Sequence, residues 1–323
     1  MRKRCCIFFV IFLFSFSVRA QSQWQNVDSL FQPLPSSVHV YKTTSPLDGK
    51  PNIAYYVEAD LKDKNLDFTV DTTYKRRLTP SKFYEKNDLP LLVVNTTFFS
   101  FATNQNLNVV IKNKKLVGYN IHTINGRGKD TFTYRHPFGS AIGISKKRKA
   151  DIAWLYTDST LQIPQASQFI LPAIKDSIQN PQQQYLFEKT SVPHHMGFEK
   201  WKMKTAVGGG PVLLQKGEIK ITNNEELKFA GKAIDDKHPR TAMGYTRDNK
   251  LIILVIEGRN PGKAEGATLT EEAQIFKDLG CWEALNLDGG GSSCLLINGK
   301  ETIKGADPTG QRPIPAVFLI KKH

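Results

Sequence analysis

The stretch LNLDGGGSSCLLINGK, residues 285–300, decides how the rest of the chain is read. Residues 284–287 form a short apolar run with strand character, and three glycines stop it. Asp288 thus falls where a strand gives way to a glycine-built turn. Gly289, Gly290 and Gly291 can adopt backbone conformations closed to other residues, which lets several N–H groups converge on one point. Ser292 and Ser293 add hydroxyls at the same rim. Residues 294–297 resume the apolar pattern, and Asn298-Gly299 is a strong signal for a tight hairpin. A carboxylate at a strand end beside such a turn is well placed for chemistry.

The residues leading into this stretch predict a helix packed on a sheet. Thr268-Leu269-Thr270-Glu271 reads as a capping box. Leu269, Ala273 and Phe276 then recur at helical spacing, joined by Ile275 and Leu279, and Gly280 supplies the C-terminal stop. Further out, residues 206–207 lead into Gly208, Gly209, Gly210 and Pro211 and then another apolar run. A bulged strand would explain this second triplet. Two strand-associated triplets in one chain point instead to a common cavity lined by both.

Other strand ends deliver polar groups in the same way. Residues 91–95 are apolar up to Asn95, whose alternative reading is an Asx-turn cap. His238-Pro239-Arg240 opens a strand over 241–245, and the buried run 251–256 ends at Glu257-Gly258-Arg259. Residues 53–61, 66–72 and 316–320 also read as strands. Hairpins are expected over 109–119 and over 140–156, with Lys146-Lys147-Arg148-Lys149 as a solvated tip of the second. Residues 21–50 read as an edge strand or covering arm. The rhythm of short strands and short turns predicts an α+β fold, with antiparallel or mixed β-sheets and a few packed helices. Residues 158–204 break it, being rich in Gln, Pro, Ser and Lys without a sustained period. They predict an irregular excursion with a helix over 171–178, of the length used for lids and covers. His194 and His195 lie there, as ordinary loop residues or as lining of a site.

With 323 residues and 40% hydrophobic content, the chain can bury a sizeable core. Arg2, Lys3 and Arg4 precede an apolar segment that ends near Val18-Arg19-Ala20, which reads as a signal peptide over residues 1–20 rather than a membrane anchor. Removing it lowers the net charge from +14 to about +10, which favours anionic partners. The lysines form no stripe with interleaved aromatics, so nucleic acid is not an expected partner. A periplasmic or secreted location follows. Cys281 and Cys294 remain in the mature chain, either as a disulfide or as two buried thiols.

Glu257 and Asp288 are the candidate carboxylates, and a pair of this kind is what glycoside hydrolysis requires. Arg240 and Arg259 suit phosphate or carboxylate oxygens, or serve as ion-pair partners of those acids. His238 has the intrinsic pKa for proton transfer. No metal motif occurs and no cofactor is required, although Asn and Asp side chains with backbone oxygens at turns can hold a divalent ion.

The segments VVNTTFF, AVGGGPVLL, HPRTAMGY, VIEGR, GATLTEEAQIFKDLG and ALNLDGGGSS, in this order over residues 90–320, resemble the phosphodiester glycosidase family. That resemblance implies removal of a sugar joined through its anomeric carbon to a phosphodiester, on a phosphorylated glycan of the cell surface or wall. It implies catalytic roles for Asp288, Glu257 and His238. Asn95, Arg240, Arg259, Gly208, Gly209, Gly210, Gly289, Gly290, Gly291 and Ser292 would bind substrate. The expected organisation is a catalytic domain over 90–323, elaborated near 158–204, behind N-terminal strands over 21–89. Where the family carries Asn-Gly-Gly-Phe-Phe, this chain has Thr96 and Thr97, whose Cβ atoms narrow the turn. Two other classes compete: a secreted carbohydrate-binding protein without turnover, and a phosphodiesterase that cuts P–O.

Overall fold

The computed structural model describes residues 22–126, 131, 133–177 and 198–323. The expected signal peptide, His194 and His195 lie outside them. The fold is α+β, and its strand pairings are antiparallel throughout the described residues. An eight-stranded sheet has Ala54–Asp60, Lys250–Ile256, Arg240–Thr246 and Cys281–Asn286 at its centre, in that order. A five-stranded sheet is built around Leu92–Asn95 and Ala316–Lys322, and a seven-stranded one around Gly139–Ser145 and Met203–Gly208.

The apolar run at 251–256 is continuous because both of its faces are covered. Leu251, Ile253 and Val255 join one core with Phe68, Leu92, Val94, Ile142, Val207 and Phe318 from the other two sheets. Ile252, Leu254 and Ile256 face the opposite way, onto Leu269, Ala273 and Phe276 of the helix Leu269–Asp278. The capping box forms as the sequence predicts: Glu271 N–H donates to Thr268 Oγ1 at 3.1 Å, and Thr268 N–H donates to the Glu271 carboxylate at 2.8 Å.

Both glycine triplets are crossings between sheets. The first carries the chain from Met203–Gly208 in the seven-stranded sheet to Val212–Gln215 in the eight-stranded one. The second carries it from Cys281–Asn286 to Leu295–Ile297 in the five-stranded sheet. Packed layers meet closely at such crossings, and a Cβ on Gly209 would collide with the Asn286 carbonyl. The predicted hairpin also forms, with Asn298 and Gly299 both at positive φ between Leu295–Ile297 and Lys300–Glu301.

The N-terminal strands share this core. Val38–Thr43 and Ala54–Asp60 extend the eight-stranded sheet, and Leu66–Thr72 pairs with Ala316–Lys322. Three expectations are corrected. Within the predicted helix at 171–178, Ile174–Ser177 is a strand paired with Thr133–His136; a short apolar run carries no periodicity that separates the two forms. The expected excursion at 158–204 also contributes Gln165–Ser167 and Phe198–Lys200 to the edge of the seven-stranded sheet. Arg148 is no solvated tip residue, since its guanidinium donates to the carbonyls of Leu61, Asp63 and Leu66. Cys281 and Cys294 are buried free thiols, not a disulfide. Burial raises the pKa of both.

Candidate active site

Register brings the polar strand ends to one edge. Arg240 pairs with Ile256 and Ala242 with Asn286, so the segments leaving at Glu257 and Asp288 both emerge beside the start of the Arg240 strand. The five-stranded sheet delivers Asn95 to the same place. There Asp288 N–H donates to the Thr96 carbonyl at 2.8 Å, and Leu287 N–H to the Thr241 carbonyl at 2.8 Å.

Asn95 fastens the junction. Its Nδ2 donates to the Asp288 carbonyl at 2.5 Å, while its Oδ1 accepts from Thr241 Oγ1 at 2.9 Å and from Cys294 N–H at 3.0 Å. Expected at the substrate, it is instead a buried positioning residue whose carboxamide binds both sheets. Asn95→Ala strands a hydroxyl, an N–H and a carbonyl, which predicts a loss of about 2 kcal/mol in stability. Chemical denaturation measures that loss, and turnover should fall with it as Asp288 is released.

The Asp288 side chain is partly accessible, yet its carboxyl is surrounded by protein. Desolvation pushes its pKa up to about 7, against the opposing pull of the Ser292 hydroxyl, the Arg312 charge and the Gly289 backbone. Ser292 faces the carboxyl outside ideal hydrogen-bond geometry, and the buried Oγ atoms of Thr96 and Ser293 have no partner among the described residues. Each glycine of the turn admits a close neighbour. Gly290, at φ +63°, lies beneath the Arg259 guanidinium, with a Cβ there only 3.2 Å from its nitrogen. A Cβ on Gly291 would collide with the Arg312 guanidinium. Gly290 N–H donates to the Pro239 carbonyl at 2.8 Å, which fastens the turn to the segment carrying His238.

Arg259 is exposed and has no hydrogen bond or ion pair among the described residues, so its charge is available. Arg312 makes one ion pair among the described residues, Nε to Asp307 at 2.8 Å. Sequence reasoning missed Arg312 as a site residue: it lies in an irregular segment ahead of the last strand, without a motif around it. His238 flanks the turn with its buried Nδ1 unpartnered among the described residues. Burial, then Arg240 and Arg259, lower its pKa below the ordinary 6.5, so the ring is neutral at pH 7.

Three groups expected at the substrate are engaged by the protein itself. Glu257, expected as a second catalytic carboxylate, accepts from Asn260 Nδ2 at 2.9 Å and from Lys304 N–H at 2.9 Å, and the charge acting on Asp288 is that of Arg312. Arg240, expected as a phosphate clamp, is 3% exposed and donates to the carbonyls of Ala267 and Asp236. Its charge faces the fully buried Glu272, whose pKa desolvation raises to about 8. Gly208, Gly209 and Gly210 are buried, the first against Asn108 and Val109 and the other two beside Asn286. Gly210 borders Glu226 and Lys228, which line a separate cavity of about 330 Å³ with Phe98 and Phe229. Thr96 and Thr97 are buried and neither takes a positive φ, so their Cβ atoms introduce no backbone strain. Among the described residues, no group of three or more His, Cys, Asp or Glu side chains is placed to hold a metal ion.

An antiparallel α+β scaffold thus presents one desolvated carboxyl, flanked by guanidinium groups, at a glycine crossing between two sheets. The family model of phosphodiester glycosidases matches residues 90–321, and the chain belongs to that family. It is 31% identical over 94 residues to the mouse N-acetylglucosamine-1-phosphodiester alpha-N-acetylglucosaminidase, a stretch covering 29% of this chain and 18% of the mouse protein. A Bacillus subtilis SPbeta prophage-derived protein is 41% identical over 64 residues, 20% of this chain and 10% of that protein. The catalytic domain of zebrafish N-acetylglucosamine-1-phosphodiester alpha-N-acetylglucosaminidase, auto-inhibited by its pro-peptide, superposes with a TM-score of 0.57 at 18% identity. That superposition covers 94% of this chain and 89% of the zebrafish one, and shows a shared fold.

Proposed function

We propose that this protein hydrolyses the anomeric C–O bond of a sugar-1-phosphodiester. The observation that carries the reading is Asp288, a carboxyl with its pKa near 7, held beside Arg312 and Arg259 at the glycine turn. The family supports the reaction class. Departure of a phosphomonoester needs little protonation, so cationic groups that hold its charge replace much of the usual general acid. Arg259 and Arg312 take that role, while Asp288 attacks C1 or deprotonates the attacking water. His238, neutral at pH 7, assists as a proton acceptor, and Ser292 and the turn amides orient the reacting groups. Glu257 braces the strand end. The substrate is a phosphorylated glycan outside the cytoplasm, in keeping with the signal segment read from the sequence. No helix among the described residues is long and apolar enough to cross a membrane.

Hydrolysis in oxygen-18 water tests the bond assignment. Attack at carbon places the label on the released sugar and leaves the phosphomonoester unlabelled. Label in the phosphate, or release of a sugar phosphate, identifies P–O cleavage and rejects the proposal.

A further inference from the structure

Beside the Asp288 turn stands an aromatic and cationic cluster of which the reaction as described uses only Arg312. Phe101 is 62% exposed, an unusual position for so large an apolar ring. Its loop is well defined: Ser100 N–H donates to the Gln105 carbonyl at 3.0 Å, and Asn104 N–H to the Ser100 carbonyl at 2.8 Å. The Arg77 guanidinium carbon lies 5.1 Å from the Phe101 ring centroid, and that of Arg312 lies 5.5 Å from it. Phe99 packs against the same ring at 4.8 Å between centroids. The two arginines come from distant parts of the chain, brought alongside by the Leu78–Ile314 bridge. Arg77 has no ion pair among the described residues, and Arg312 offers its two terminal nitrogens beyond its Nε contact with Asp307.

We propose that Phe101, Arg77 and Arg312 form the subsite for the leaving half of the substrate, a phosphate carried on a ring-shaped organic group. Its phosphate would lie between the guanidinium groups, which match the single charge of the diester and the second charge that develops as the monoester leaves. The ring of that group would pack against Phe101, which stays largely exposed despite its contacts with Arg77, Arg312 and Phe99. Arg312 links this subsite to the reaction, since it touches both Phe101 and Gly291 and its charge acts on Asp288. The phosphate would thus sit next to the carboxyl that works on the sugar carbon.

This inference rests on the glycosidase reading for its place in the reaction, but its binding claim is tested without turnover. Calorimetric titration of the full chain with phenyl phosphate, inorganic phosphate and phenol separates the two contributions. Phenyl phosphate should bind about tenfold more tightly than inorganic phosphate, and phenol should not bind measurably. Phe101→Ala should remove the advantage of phenyl phosphate, and Phe101→Tyr should keep it. Arg77→Gln should weaken both phosphates about tenfold, with Arg77→Lys intermediate. Equal affinities in wild type, Phe101→Ala and Arg77→Gln would overturn the subsite. If the diester is cleaved at carbon, Phe101→Ala should raise KM with kcat preserved and Arg77→Gln should raise KM and lower kcat, and an unchanged KM in both would reject the subsite while leaving the glycosidase reading intact. If the diester is not cleaved at carbon, that reading fails, and the titrations still decide whether the cluster binds organic phosphates.

Discussion

Asp288→Asn is expected to lower kcat by about 10³-fold, the usual range for removing a positioned acid or base. The substitution keeps the size of the side chain and the backbone bonds of Asp288 to Thr96 and Asn95, so the fold should persist. Stability provides an independent check. Burial raises the folded-state pKa from 3.8 to about 7. The protonated carboxyl therefore contributes stability that is complete below about pH 4 and lost as pH rises through 7. Wild type should lose stability relative to Asp288→Asn across that window, so the variant melts higher at pH 8. The rate has the opposite sign: if Asp288 works ionised, kcat/KM rises with pH and levels off above about 7. Arg312→Ala removes a charge that lowers this pKa, and so moves the midpoint upward. Near-normal turnover in Asp288→Asn would remove the residue from the mechanism.

Glu226→Ala carries the largest expected cost to stability. The carboxylate is 1% exposed and accepts from five donors. They are the N–H and hydroxyl of Ser140, the Trp154 indole, Val212 N–H and the Thr222 hydroxyl, at 2.6 to 3.2 Å. These donors come from the seven-stranded sheet, the eight-stranded sheet and the segment that enters the short helix Asn223–Glu226, so the side chain ties layers together. Its removal leaves buried donors unpaired around a void, which predicts a loss of about 3–5 kcal/mol. A fall in thermal midpoint of about 5–8 °C should follow. Gly210 lies against this carboxylate, and a Cβ there would collide with it. Gly210→Ala should reproduce part of the loss. A melting temperature unchanged in both variants would show that the layers are held by packing alone.

These two residues also mark how far the sequence could be read. Asp288 was legible because an apolar run, a carboxylate and three glycines are adjacent in the chain, and strand-to-turn geometry is a local property. The capping box at Thr268, the Asn298-Gly299 hairpin and the buried strand over 251–256 were legible for the same reason. Glu226 was not, because nothing around NNEEL distinguishes a buried hub from a solvated acid. Its meaning lies in donors as far away as residue 140.

The roles assigned to charged groups shifted for a related reason. Glu257 and Arg240 do reach the functional edge, as their strand-end positions imply. Whether a side chain faces solvent or a neighbouring carbonyl depends on what packs against it, and here the Ala267, Asp236, Asn260 and Lys304 segments take them up. Arg312 gains its place because the closing strand returns beside Asn95, more than two hundred residues away in sequence. The amino-acid order by itself determined where strands end, where the chain turns and which polar groups stand at those ends, since backbone preference and hydrophobic period act between neighbours. Only the packing of the sheets decided which of those groups stay open to a ligand, because desolvation and hydrogen-bond competition are set by residues distant in the chain.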